Sequence, residues 1–272
     1  MNSSRKFIQL EVVTATLEQK EILIALLSEQ GFQFEEEHAN LRAVIEEIAF
    51  NRPTIDKIFS EQNLKYSLAI LDDKNWNAEW ETSFESVSVG SFCSVRAAFH
   101  DPQTNVRHDI IVTPKMSFGT GHHATTYMMI QAMERLNFTG KHVLDFGTGT
   151  GVLAILAVKM GAGKVIAIDN DDWSIENAAE NFKENDITVA ELLKGDKIGV
   201  NIQFDIVLAN INKNVILENL PTMKQHLSVS GVVLLGGLLE SDRNTITEAI
   251  DKSAFRLLFS LERDSWICLA IS

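Results

Sequence analysis

HVLDFGTGTGVLAILAVKMGAGKVIAID, residues 142–169, decides how this chain folds. It opens on a short apolar run, Val143 to Phe146, broken by Asp145. A glycine-rich turn follows, Gly147-Thr148-Gly149-Thr150-Gly151, then residues of helical character from Val152 to Met160. A second apolar run, Val165 to Ile168, ends on Asp169. The order is strand, tight turn, helix, strand, with an acid at the tip of the second strand. The glycines permit unusual φ values and a close approach of a ligand to the backbone. The helix N-terminus behind them is expected to offer free N–H groups and a partial positive charge. Asp169 lies twenty-two residues beyond Gly147, a spacing that suits an acid bonding a ribose diol in a βαβ unit. A ligand containing a nucleoside is the direct reading.

Two details select among nucleosides. The dinucleotide fingerprint G-x-G-x-x-G needs its third glycine where this chain has Val152, because Gly151 comes one residue early. Asp145, two residues before the first glycine, would repel a pyrophosphate at the mouth of the strand. It suits a ligand that carries an ammonium and a sulfonium, and S-adenosylmethionine has both, a ribose and no phosphate. The same residues resemble the first two motifs of the class I S-adenosylmethionine-dependent methyltransferases.

The remainder of the composition bounds the setting. The chain has 272 residues, a net charge of −13 and a pI near 5.0. The acidic excess is spread over both halves, so direct nucleic-acid binding is not expected, while a basic protein is a compatible partner. Cys93 and Cys268 are far apart and fit no metal spacing, which points to a reducing compartment. No signal-peptide core opens the chain and no apolar stretch is long enough to span a bilayer, so a cytoplasmic protein without membrane contact is expected.

Residues 1–71 read as a small α+β unit with the order β-α-β-β-α-β, the split βαβ or ferredoxin-like pattern. Thr16 to Gln19 looks like a capping box, and Pro53 sits near N1 of a second helix whose buried face holds Ile55, Ile58 and Phe59. The run Glu35-Glu36-Glu37 reads as a solvated edge. Residues 72–100 are expected to link the two units. They contain Trp76 and Trp80, four apart and on one helix face as a packing anchor, and a strand or hairpin over Ser86 to Ala97. Residues 101–272 form the second domain. Ahead of its glycine turn lies Met116-Ser-Phe-Gly-Thr-Gly-His-His-Ala-Thr-Thr126, which precedes a helix and has the composition of a lid over the ligand. Zinc at His122 and His123 is not expected, since adjacent histidines point apart and no third ligand is near.

Beyond Asp169 strands and helices alternate, and the chain closes with two strands, Phe255 to Leu261 and Trp266 to Ile271, as an antiparallel pair. The fold class is α/β, a doubly wound, mostly parallel sheet. Ligands in such sheets bind outside the carboxyl ends of the strands, where Gly147, Asp169, Asp196 and Asn210 all fall. Asp196 is a candidate acceptor for an adenine amino group. Asn210, at the end of FDIVLA, is a candidate acceptor for the amine that receives a methyl group, although Ala209-Asn210-Ile211-Asn212 lacks the N-P-P-Y signature of many amino-group methyltransferases.

The lid F-G-T-G-x-H-x-T-T, then V-L-D-F-G-x-G-x-G, then I-D-x-D, then A-N-I, together resemble the ribosomal-protein methyltransferases that modify protein eleven of the large subunit. The resemblance covers most of the chain. It implies a seven-stranded methyltransferase sheet, S-adenosylmethionine as methyl donor, and a front domain that docks the substrate protein. It also implies methylation of lysine ε-amino groups and of the substrate's α-amino group, and cofactor contacts from Thr126, Gly147, Gly149, Asp169 and Asn210. The chain departs from the family at His122 and Ala124, at the G-T-G-T-G turn, and at Asn212 to Ile216 beside the acceptor. A methyltransferase for another protein or a small molecule, a nicotinamide-dependent oxidoreductase, and a cofactor-binding module without catalysis are the rival expectations.

Overall fold

Val143 and Leu144 are fully buried and Phe146 nearly so, which is the pattern of a central strand covered on both faces. In the computed structural model, which describes residues 6–13, 17–28, 30–36, 40–72, 85–113 and 124–272, this run is β8, His142–Phe146. Thr16 of the expected capping box, Glu37, Trp76, Trp80 and Met116 to His123 lie outside the described residues. The chain divides into two compact units, Met1–Phe84 and Glu85–Ser272.

In the first unit the elements are β1 (Lys6–Val13), α1 (Leu17–Ser28), β2 (Gln33–Glu36), β3 (Asn40–Glu46), α2 (Arg52–Glu61) and β4 (Ser67–Asp72). The sheet order is β2-β3-β1-β4 with every neighbouring pair antiparallel. Alternation along β1 buries Ile8, Leu10 and Val12, which pack with Leu23 and Leu27 of α1 and with Ile55, Ile58 and Phe59 of α2. Asn51 caps α2, its side chain accepting from the Thr54 amide at 3.3 Å, with Pro53 in the first turn. β3 ends before Ile48. It stops at Glu46, and a 3-10 turn over Glu47–Ala49 leaves Ile48 92% exposed.

The second unit begins with a three-stranded sheet, β5 (Val87–Val89), β6 (Cys93–Arg96) and β7 (His108–Ile111). β5 and β6 form the expected hairpin, and β7 runs parallel to β6. Residues 85–100, read from sequence as linker, thus carry two strands of this unit. Arg96 is buried here, and its Nε donates to Asp109 Oδ2 at 2.8 Å while Nη1 donates to the carbonyls of Ala97 and His100. With the charge paired and both Nε and Nη1 bonded, its burial is tolerable.

The main sheet has seven strands in the order β10-β9-β8-β11-β12-β14-β13. Besides β8 these are β9 (Lys164–Asp169), β10 (Ala190–Lys194), β11 (Phe204–Asn210), β12 (Leu227–Leu239), β13 (Leu257–Arg263) and β14 (Trp266–Ile271). The first five run parallel, and β14 is antiparallel to both β12 and β13. Among the described residues five helices accompany them: α3 (Ala124–Glu134), α4 (Val152–Lys159), α5 (Asp172–Glu184), α6 (Lys213–His226) and α7 (Arg243–Lys252). One face of the sheet, including Leu144, Phe146, Ile168, Val207 and Leu235, packs with Ile216, Leu220 and Met223 of α6 and with Ile246 and Ile250 of α7. The strand order reverses between β8 and β11, which opens the crevice where doubly wound sheets take ligands.

β12 extends from Leu227 through Gly236 and Gly237 to Leu239. Gly236 still pairs with Asn210 of β11, while the register against β14 slips between Leu235 and Leu238. Gly237, at φ +75°, absorbs that slip as a bulge, a conformation residues with a side chain rarely adopt. Among the described residues no helix is long and apolar enough to cross a membrane. Cys93 and Cys268 are both free and buried, and burial pushes each thiol up to about 12.

Candidate functional site

Asp145 is not the exposed acid at a strand mouth that its position suggests. It is 1% exposed, enclosed beneath the glycine turn. Its Oδ2 accepts from the Thr148 hydroxyl at 2.6 Å and from the Ala154 amide at 3.1 Å, so it closes the turn and caps the first turn of α4. Its Oδ1 is buried with no hydrogen-bond partner.

The turn amides are engaged as well. Gly147 N and Thr148 N both donate to the Ile168 carbonyl, at 2.8 and 3.0 Å, Gly149 N donates to Asp169 Oδ2 at 2.8 Å, and Gly151 N donates to the Thr148 carbonyl at 2.8 Å. These four turn amides are therefore spent within the protein, and Ala154 in the first turn of α4 gives its amide to Asp145. A pyrophosphate needs such donors and finds a buried carboxylate instead. This geometry disfavours a dinucleotide and fits a ligand with cationic groups and no phosphate.

Burial pushes the Asp145 carboxyl up to about 7, against the two hydrogen bonds it accepts and with a smaller upward push from Asp169. A carboxyl raised from its ordinary 3.8 keeps its proton in the folded chain over a range where the unfolded chain has lost it. Its contribution to stability is fully present below pH ~4, declines as pH rises, and is gone above pH ~7. Denaturant midpoints for Asp145→Asn are therefore expected to lose this fall between pH ~4 and ~7, leaving a flatter profile than the parent chain.

Asp169, at the end of β9, also accepts from the Asp171 amide through Oδ1 at 3.1 Å. These bonds orient its carboxylate and leave acceptor capacity, since an ionised carboxylate offers about four lone-pair sites. Asp196, the other acid proposed at a strand end, is exposed beyond β10.

On the other side of the crevice Asn210 ends β11. Its Nδ2 donates to Thr126 Oγ1 at 3.2 Å, and Thr126 lies in the first turn of α3, 1% exposed. The amide oxygen, Oδ1, is buried and has no partner. A Cβ on Gly236 would come within 2.6 Å of that oxygen. Ile211, the next residue, is gripped from both neighbouring strands. A Cβ on Gly147 would meet its Cγ2 at 2.2 Å, and one on Gly237 its carbonyl oxygen at 2.2 Å. Glycines at the ends of β8 and β12 thus shape the carboxyl edge around Asn210 and Ile211.

Of the five residues read from sequence as cofactor contacts, the fold pairs Gly149 with Asp169 and Thr126 with Asn210 by hydrogen bonds, and seats Gly147 beside Ile211. Sequence reasoning passed over Gly236 and Gly237, although two consecutive glycines inside an apolar run signal a bulge or close approach. It also passed over Asn177, Asn181 and Asn185, spaced four apart on α5 and just past its end. The spacing was the available signal, because three asparagines on one helix face demand partners if that face is buried.

A family model described as ribosomal protein L11 methyltransferase (PrmA) matches residues 4–272. A Porphyromonas gingivalis protein named ribosomal protein L11 methyltransferase is 38% identical over 258 residues, 92% of this chain and 89% of its own length. A protein of that name from Phocaeicola vulgatus is 33% identical over 260 residues, 90% and 91% of the two chains. The crystal structure of ribosomal protein L11 methylase from Lactobacillus delbrueckii subsp. bulgaricus aligns with a TM-score of 0.65 and 30% identity, over 70% of this chain and 98% of that one.

Proposed function

The chain belongs to the ribosomal protein L11 methyltransferase family, and we propose that it transfers methyl groups from S-adenosylmethionine to lysine ε-amino groups and the N-terminal α-amino group of L11. The observation that carries this reading is the unpartnered Oδ1 of Asn210, buried at the carboxyl edge of β11 and oriented by Thr126. A buried acceptor without a donor is costly unless a ligand supplies one.

S-adenosylmethionine supplies a methyl group already activated on a sulfonium, so the protein provides no nucleophile of its own. Asp169 is placed to hold the ribose hydroxyls, with Gly147 and Gly149 giving the backbone approach beside it. The unpaired oxygen of Asn210 suits a cationic part of the donor or the incoming amine. An amine that donates one N–H to Asn210 Oδ1 keeps its lone pair for the methyl carbon. The carbon–sulfur bond breaks as the carbon–nitrogen bond forms, and the amine releases its surplus proton to solvent. What the chain contributes is alignment and exclusion of water.

The segment that departs from the family's pattern after Asn210 has structural duties. Asn212 caps α6 by accepting from the Val215 amide at 3.1 Å, Lys213 pairs with Asp242 at 2.6 Å, and Ile216 is fully buried in the core. Those duties account for the residues without invoking another acceptor. The first unit, residues 1–71 in this reading, takes the role of docking the substrate protein.

The test is transfer of labelled methyl groups from S-adenosylmethionine to undermethylated ribosomal proteins, with the labelled band identified by mass spectrometry. Label on L11 is the expected result. Cofactor binding by calorimetry without label on L11 would overturn the substrate, and absence of cofactor binding would overturn the reaction.

A further inference from the structure

β7 is the edge of its three-stranded sheet, so its outer N–H and C=O groups need partners from elsewhere. Asparagines of α5 and the residue after it provide them. Asn185 accepts from the Ile111 amide at 3.0 Å and donates to the Ile111 carbonyl at 2.6 Å, as a neighbouring strand would. One helical turn earlier, Asn181 accepts from the Thr113 amide at 2.7 Å. Its other end turns away from β7. Nδ2 donates to the carbonyl of Thr150, inside the glycine turn, at 2.8 Å, and to Asn177 Oδ1 at 3.2 Å.

Asn177, Asn181 and Thr150 are all fully buried. Two asparagines are poor choices for a helix interior and costly choices for a buried face. Here Asn181 uses its amide at both ends. The same face of α5 also presses apolar groups on the turn, for a Cβ on Gly151 would come within 2.7 Å of Phe182 Cε1 and 3.3 Å of Ala178 Cβ.

From this we infer that Asn181 is a positioning residue for the glycine turn: its side chain fixes the Thr150 carbonyl against the end of β7, so that the turn and Thr113 hold one another in place. The inference rests on the reading of that turn as the S-adenosylmethionine site. Asn185 is the built-in control. Its side chain makes three hydrogen bonds, as that of Asn181 does, two to Ile111 of β7 and one to the Asn181 carbonyl, but none to the turn, so the two asparagines separate support of the sheet from support of the turn.

Asn181→Ala and Asn185→Ala, in the full chain, are compared by urea denaturation and by calorimetric titration with S-adenosylhomocysteine. The two variants are expected to lose similar stability, while only Asn181→Ala weakens ligand binding, by about tenfold or more, as loss of a buried hydrogen bond at the site requires. In turnover with the protein acceptor, Asn181→Ala raises KM for the methyl donor and leaves KM for the acceptor unchanged. Equal ligand affinity in the two variants would overturn the inference. Should either variant fail to fold, hydrogen exchange on the parent chain decides the matter: added S-adenosylhomocysteine is expected to slow exchange at the Ile111 and Thr113 amides together with those of the turn. Protection confined to residues 147–151 would overturn the coupling. A parent chain that binds no S-adenosylhomocysteine would overturn the site reading itself, a result distinct from either of these.

Discussion

Replacing Gly237 by alanine is expected to destabilise the second unit by about 4 kcal/mol and to lower its melting temperature by on the order of 10 °C. Two costs combine. At φ +75° a Cβ is strained by roughly 1–2 kcal/mol. The added atom would then lie 2.2 Å from the carbonyl oxygen of Ile211, 2.9 Å from its carbonyl carbon and 3.1 Å from its nitrogen. These are backbone atoms that cannot rotate aside, so the strand end must move, at an overpacking cost of about 1–3 kcal/mol. Gly147→Ala meets only Ile211 Cγ2 and Cβ, which a side chain can partly yield, so its loss of stability is expected to be the smaller. The consequence of Gly237→Ala reaches function because the displaced residue follows Asn210. Calorimetric melting and methyl-transfer assays on the same preparation check both parts. Unchanged melting would show that β12 relaxes without disturbing Ile211.

The parts of the architecture legible in the sequence are those built from local chemistry. The β8–turn–α4–β9 unit could be read because apolar runs, glycines and a terminal acid occupy consecutive positions, and the placement of Asp169 and Asn210 at strand ends follows from the strands alone. What stayed hidden depends on long-range packing. Asp145 has the sequence position of an acid facing ligand, yet the turn folds over it and its Oδ2 is taken by Thr148 and Ala154. The turn glycines show in the sequence, but not that Ile168 and Asp169, at the end of β9, accept the amides of Gly147, Thr148 and Gly149. Ser228 to Ser230 lie ahead of the apolar run of β12, and the exposed Val229 among them conceals that the backbone is already extended. The asparagines of α5 look like a solvated stripe until β7, some seventy residues earlier, is set beside them.

Replacing Asn210 by alanine is expected to lower kcat for methyl transfer by about 10²–10³-fold, the scale of removing one preorganised hydrogen-bonding group from a reaction centre. The argument turns on which oxygen is free. The amide nitrogen of Asn210 is committed to Thr126, so the side chain cannot rotate without breaking that bond, and Oδ1 stays presented as an acceptor. An acceptor there holds an amine by its N–H and selects the neutral form, whose lone pair is available. Free lysine titrates near ~10.4, so the rate on a lysine acceptor is expected to rise with pH through the neutral range. Asn210→Asp separates positioning from charge. It also offers an acceptor, but as an anion it favours the ammonium and raises the acceptor's pKa. The rising limb of the kcat profile is then expected to move to higher pH, with partial recovery of rate in alkali, whereas Asn210→Ala is slow at every pH. If Asn210→Ala kept its kcat and raised only KM for the methyl donor, the oxygen would serve the cofactor alone, and the amine would have to be held by another group at the same strand end.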